Sequence, residues 1–181
     1  MKRVTLHDKE FQVFIPHDEI QTIVKQVADE INGDFSALDE VVFLSVLNGS
    51  FMFTSDLVKN IDFSCEVSFV KLSSYQGTTT TGTVSELIGL SSSLKGKCVV
   101  VVEDIVDTGI TLEKLYALIS AHEPSRICVA TFFFKPESYG KHIKIDYIGK
   151  SIPNDFVVGY GLDYDELGRN LKDVYKLVVE K

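Results

Sequence analysis

A chain of 181 residues, 45% hydrophobic and 24% charged, has the size and composition of one soluble domain with a full hydrophobic core. Its formal net charge of -8 argues against nucleic acid or an anionic membrane as the main partner. A polyanionic ligand would need local help from metal ions and backbone dipoles. The opening residues carry no signal-peptide pattern, and no apolar run reaches the roughly 20 residues of a membrane span, so a cytoplasmic location is expected.

Residues 1–15 alternate weakly, with Val4, Leu6, Phe11, Val13 and Ile15 apolar, and suggest an edge hairpin or strand. From Pro16 the period changes. Ile20, Ile23, Val24, Val27, Ala28 and Ile31 form one helical stripe, Asp18 and Glu19 suit the helix dipole, and Gly33 sits where a C-terminal cap belongs. Val41 to Leu47 is an apolar strand. It enters Asn48-Gly49-Ser50 and then a helical segment, Phe51 to Leu57, a strand–turn–helix able to hold an anion or to serve as a plain tight turn.

Val67 to Leu72 is a further strand. Ser73 to Thr83 follows, a polar, hydroxyl-rich stretch with little to bury, which reads as a mobile loop. Val99 to Val102 opens a strand buried on both faces. After it come Glu103, Asp104 and Asp107, then Thr108-Gly109-Ile110-Thr111. Leu112, Leu115, Tyr116, Leu118 and Ile119 then mark one face of a helix. A strand entering a helix through a small-residue turn aims free N–H groups and a partial positive charge at that turn, which suits phosphate. Glu103 and Asp104 suit a vicinal diol or a divalent metal, and Asp107 suits proton transfer. The plainer alternative is an acidic loop in which Asp107 or Thr108 caps the helix.

Ile127 to Phe134 is an apolar strand ending at Lys135-Pro136, which points Lys135 into the rim of an open α/β sheet. Ile143 to Ile148 is another short strand. The block Pro153-Asn154-Asp155-Phe156-Val157-Val158-Gly159-Tyr160-Gly161-Leu162-Asp163-Tyr164 closes the pattern, with Arg169 beyond it. Cys65, Cys98 and Cys128 show no CxxC spacing and read as buried free thiols, and the four histidines show no zinc-ligand spacing.

The run from Val99 to Leu112 resembles the phosphoribosyl diphosphate (PRPP) signature of the type I phosphoribosyltransferases. The 153–164 block resembles a string recurrent in the hypoxanthine-guanine branch of that family. The resemblance spans roughly residues 5 to 180. It implies an α/β fold with a central, mostly parallel sheet flanked by helices and a small hood, as a single domain over residues 1–181. It places Glu103 and Asp104 on the ribose hydroxyls, and the 5-phosphate on Asp107, Thr108, Gly109, Ile110 and Thr111. Asp107 would be the catalytic carboxylate that meets purine N7, the candidate for proton transfer there. Pyrophosphate would meet Asn48, Gly49 and Arg169. Asn48 stands where purine members carry Lys, in a turn whose preceding peptide is often cis, and a positive charge is thereby lost. Ser74 and Tyr75 match the dipeptide of a closing loop. Lys135 would donate to the purine 6-oxo group, Phe156 would stack on the base, and Val157 would offer backbone groups to its edge. Asp163, with Glu103 and Asp104, would hold Mg2+.

The reaction implied is transfer of phosphoribosyl from PRPP to N9 of hypoxanthine or guanine, releasing pyrophosphate and giving IMP or GMP. The family often forms dimers or tetramers. Alternatives are a xanthine-guanine or pyrimidine enzyme of the same fold, or a non-catalytic PRPP sensor that binds nucleic acid, which the acidic balance disfavours. Neither GxGxxG nor GxxxxGK[ST] is present.

Overall fold

A computed structural model describes residues 2–36, 39–73, 85–88 and 93–179. Six strands form the main sheet: β3 (Val41–Val46), β4 (Glu66–Ser73), β5 (Ser85–Ile88), β6 (Cys98–Val106), β7 (Arg126–Phe134) and β8 (Tyr147–Ser151). Their spatial order is β5-β4-β3-β6-β7-β8. All neighbours are parallel except β5, which runs antiparallel to β4 at the edge. The chain moves outward from β3 to β4 on one side and from β6 to β7 on the other. The C-terminal ends of β3 and β6 therefore flank the point where strand order reverses, which is where open α/β sheets form their ligand crevice.

β6 is central because both its faces are covered. Val100 and Val102 point into the core shared with the helix α1 (His17–Asp34) and the helix α2 (Phe51–Val58). Val99 and Val101 point into a second core with Leu112, Leu115 and Ile119 of the helix α3 (Ile110–Ser120). This accounts for an unbroken valine run where a half-exposed strand would alternate.

A smaller four-stranded sheet forms the hood, in the order β1 (Arg3–Leu6), β2 (Lys9–Ile15), β10 (Val174–Leu177) and β9 (Val157–Val158). The weakly alternating opening is thus a hairpin, and the C-terminal strand pairs back onto it. Asp173 ties hood to body, accepting from the His17 amide at 3.0 Å, the Lys2 ammonium at 3.1 Å and the Tyr175 hydroxyl at 3.3 Å.

Three local expectations need correction. Gly33 does not end α1. The helix runs through it to Asp34, because the buried Phe35 anchors the next step and its amide bonds the Ile31 carbonyl. The strand expected over 143–148 begins only at Tyr147. Before it, Asp146 uses its carboxylate to accept the Val129 amide, and Tyr139 donates to the Ile143 carbonyl, so the segment is a pinned connector. Of the cysteines only Cys128 is buried, and Cys65 and Cys98 are half-buried. Among the described residues no helix is long and apolar enough to cross a membrane.

Candidate active site

Two turns meet at the crevice. The first follows β3. Ser45, Ser50 and Thr54 form a buried hydroxyl chain, in which Ser50 donates to the Val46 carbonyl at 2.6 Å and Thr54 donates to Ser45 at 2.8 Å. This chain satisfies the polar groups that a tight strand-to-helix turn would leave buried. Within the turn Asn48 is half-buried and Gly49 buried, and the Leu47–Asn48 peptide is cis. Their amides have no hydrogen-bond partner among the described residues.

The second turn follows β6 and carries Asp107 to Thr111. Gly109 takes the left-handed conformation, φ 79°, at the head of α3, and no side chain caps the helix. Thr108 Oγ1 is 3.5 Å from the Ile110 amide, a marginal contact. Asp107 thus makes no cap, Thr108 reaches only the Ile110 amide, and the Thr108, Gly109 and Thr111 amides have no hydrogen-bond partner among the described residues, which leaves them available to an anion. Glu103 and residues 105–112 line a recess of about 100 Å³. Gly109 cannot carry a Cβ, because Tyr139 and the Lys141 stem pack directly on it.

The acids differ sharply. Glu103 is buried, and burial, with Asp104 beside it, raises its pKa well above the carboxylate range. Burial pushes Asp104 up to about 6, although its Oδ1 accepts the Ile105 amide. Among the described residues neither is in a salt bridge. Asp104 Oδ2 lies against Gly49, where a Cβ would collide with it, and Gly161 packs closely on the Gly49 carbonyl, where a Cβ would also collide. The Asn48-Gly49 turn is thus clasped between the end of β6 and the 160s block.

Asp107 is half-exposed, and its Oδ2 accepts from Lys135 Nζ at 3.0 Å. The Lys135 amide in turn donates to the Val106 carbonyl. Lys135, at the end of β7, is joined to the 153–157 segment: Ile152 donates to the Phe134 carbonyl at 2.9 Å and Ser138 donates to Asn154 at 2.6 Å. Phe156 follows, 44% exposed, while Val157 is buried and pairs with Lys176 of β10. Arg169 Nη2 lies 2.8 Å from Asp163 Oδ1, and Nη1 donates to the Gly161 carbonyl at 2.9 Å. These contacts join the Asn48-Gly49 turn, the 103–111 turn, Lys135 and the Gly161–Arg169 segment; Phe156 and the buried Val157 sit in the hood against Phe11, Tyr164 and β10, and Ser74 and Tyr75 lie outside the described residues. Gly161 and the Lys135–Asp107 pair were missed by the sequence reading. The Gly-Tyr-Gly string, with glycines at φ 95° and 99°, was the available signal for the first.

Residues 16–165 match the phosphoribosyl transferase domain. The chain belongs to the phosphoribosyltransferase family. Within it, this phosphoribosyltransferase is 38% identical over 176 residues to the hypoxanthine-guanine phosphoribosyltransferase of Staphylococcus epidermidis, covering 97% of this chain and 98% of that protein. Its fold superposes on a hypoxanthine phosphoribosyltransferase from Staphylococcus aureus with a TM-score of 0.85 at 38% identity, covering 92% and 91% of the two chains. A hypoxanthine-guanine phosphoribosyltransferase from Bacillus anthracis also gives 0.85, at 38% identity, with 92% and 98% covered. The fold is that of the type I phosphoribosyltransferases, and the family's hood corresponds to the four-stranded sheet.

Proposed function

We propose that this phosphoribosyltransferase carries out purine salvage, moving the 5-phosphoribosyl group of PRPP onto N9 of hypoxanthine or guanine to give IMP or GMP and pyrophosphate. One observation carries the reading. Free amides at the head of α3, the uncompensated acids Glu103 and Asp104, and the Lys135–Asp107 pair share one rim of a family fold.

In this reading the amides and hydroxyls of Asp107 to Thr111 hold the 5-phosphate. Glu103 and Asp104 accept from the ribose hydroxyls. Lys135 donates to the base's 6-oxo group, Phe156 stacks on the ring, and Val157 lines its edge. Asp107 takes the N7 proton while the sugar develops oxocarbenium-like charge. Asn48, Gly49 and Arg169 face the leaving pyrophosphate.

Among the described residues no group of three or more His, Cys, Asp or Glu is arranged to hold a metal ion. Mg2+ commonly uses one or two carboxylates and completes its shell with water and substrate phosphates. Glu103, buried, and Asp104, half-buried, neither in a salt bridge among the described residues, fit such a cation, with Asp163 as a third candidate. When bound, Mg2+ would neutralise charge on the pyrophosphate leaving group. A single domain over residues 1–181, a cytoplasmic location and a homo-oligomer, dimer or tetramer, complete the reading. Light scattering after gel filtration reads the last.

The deciding experiment mixes the protein with PRPP, Mg2+ and hypoxanthine and follows IMP and pyrophosphate. Both should appear in equal amounts. No nucleotide from hypoxanthine or guanine would overturn the reading. Competing guanine, hypoxanthine, xanthine and uracil in one assay ranks the bases.

A further inference from the structure

The hood hairpin reaches the base end of the rim in a way that neither strand pairing nor core packing requires. Three consecutive residues at the β1–β2 turn each touch the segment after Gly161. His7 Nε2 lies 3.1 Å from the Asp165 carbonyl. Asp8 Oδ1 accepts the Tyr164 hydroxyl at 2.8 Å. Lys9 Nζ stands 4.3 Å from the centre of the Tyr164 ring and 5.8 Å from that of Phe156. The two rings meet edge to face at 5.8 Å and 86°, and the buried Phe11 lies 6.1 Å from both.

Lys9 is half-buried between exposed neighbours, and its ammonium is in no salt bridge among the described residues. In a chain with 26 acidic and 18 basic residues, this ammonium feels the charge of neighbouring Asp8 but forms no ion pair with it, and sits instead over the Tyr164 ring, with Phe156 at the far edge of its reach. Cations are attracted to those faces by the ring quadrupole. Phe156 is a large ring, 44% exposed, held on one side by Phe11 and Tyr164 and open on the other, so its plane depends on how firmly Tyr164 is held. Ordering it only when a ligand arrives would cost affinity.

We propose that Lys9 is a positioning residue for base recognition: with Asp8 fixing Tyr164, its ammonium holds the Tyr164–Phe156 pair and sets the plane on which the purine stacks. This rests on the assignment of Phe156 to the base in the proposed function. It adds a residue from the hood hairpin, remote in sequence from every other base contact. Lys9 acts through the rings and touches neither sugar nor phosphate.

The test is steady-state kinetics on Lys9→Met, which keeps the stem and removes the charge. KM for hypoxanthine should rise about 2- to 5-fold, the span of an exposed cation–π contact. KM for PRPP and kcat should stay within about a factor of two by the same argument, and Lys9→Arg should restore the base KM. A hairpin needed only for folding would shift both substrates alike and would not be rescued by arginine. An unchanged base KM in Lys9→Met, an equal rise in both KM values, or failure of the arginine rescue each overturns the role of Lys9 alone. A wild-type protein that makes no nucleotide overturns the base site itself, and this role with it.

Discussion

Lys135 Nζ lies 3.0 Å from Asp107 Oδ2, so the cation at the end of β7 is held by the acid in the turn after its neighbour β6. The Lys135 side chain is only 12% exposed, and this is its one salt bridge among the described residues. A 6-oxopurine carries an acceptor at O6 beside a protonated nitrogen at N7. Such a base can give each partner a new hydrogen bond as it separates them, so neither is left unpaired in the rim.

Lys135→Met should therefore raise KM for hypoxanthine by about 10- to 100-fold, the worth of a hydrogen bond to a charged group. KM for PRPP should change far less. Initial-rate kinetics with each substrate varied separately check this, and an unchanged hypoxanthine KM would remove Lys135 from the base.

Asp107→Asn keeps the shape and loses the proton acceptor. Turnover should fall by about 10²–10⁴-fold, the usual range for one acid–base group. PRPP binding, followed by calorimetry, should survive, because the amides of the turn are untouched.

Asn48 lacks the charge found in the family's turn. Asn48→Lys should tighten pyrophosphate binding by about 5-fold, roughly 1 kcal/mol for a partly screened ammonium. Product inhibition by pyrophosphate measures it. No change would place the Asn48 side chain away from the leaving group.

Gly161 has φ 99°, and its missing Cβ is what lets the Gly49 carbonyl approach. Gly161→Ala would both strain the backbone and push on the Asn48-Gly49 turn. A loss of about 2–4 kcal/mol in unfolding free energy is expected, with lower activity in whatever remains folded. Chemical denaturation of the two proteins compares them.

Asp173 supplies a pH-dependent link between hood and body. Burial works to raise its pKa, but the His17 amide, the Lys2 ammonium and the Tyr175 hydroxyl outweigh it and hold the carboxyl below its ordinary 3.8. Its contribution is thus present above that value and is lost as pH falls through the depressed one. Asp173→Asn should cost about 1–2 kcal/mol near neutral pH, and the gap to wild type should shrink below about pH 4. Melting curves across that range test it, and a constant gap would contradict the link.

Much of the frame could be read from local pattern. The valine run at 99–102, the small-residue turn at 107–111 and the apolar face from Leu112 to Ile119 identify β6, its turn and α3, because burial on two faces and helical periodicity leave direct marks in a sequence. The β3–turn–α2 unit was legible for the same reason. Element ends were less so. Gly33 carries a helix-ending residue type, but Phe35 found a buried place that kept the helix going, and the 143–146 segment is apolar enough for a strand while its side chains bond elsewhere.

By itself, then, the order of residues determined most of the central strands and helices, which turns can take an anion, and which family the chain resembles. Each of those depends on neighbours within a dozen positions. Only the tertiary structure decided that Lys135 pairs with Asp107, that Gly161 and Asp104 clasp Gly49, and that Lys9 stands over Tyr164. Those pairs are separated by tens to more than a hundred residues along the chain. Their meeting is set by strand order at the reversal between β3 and β6 and by closure of the hood on β10, which no local periodicity records.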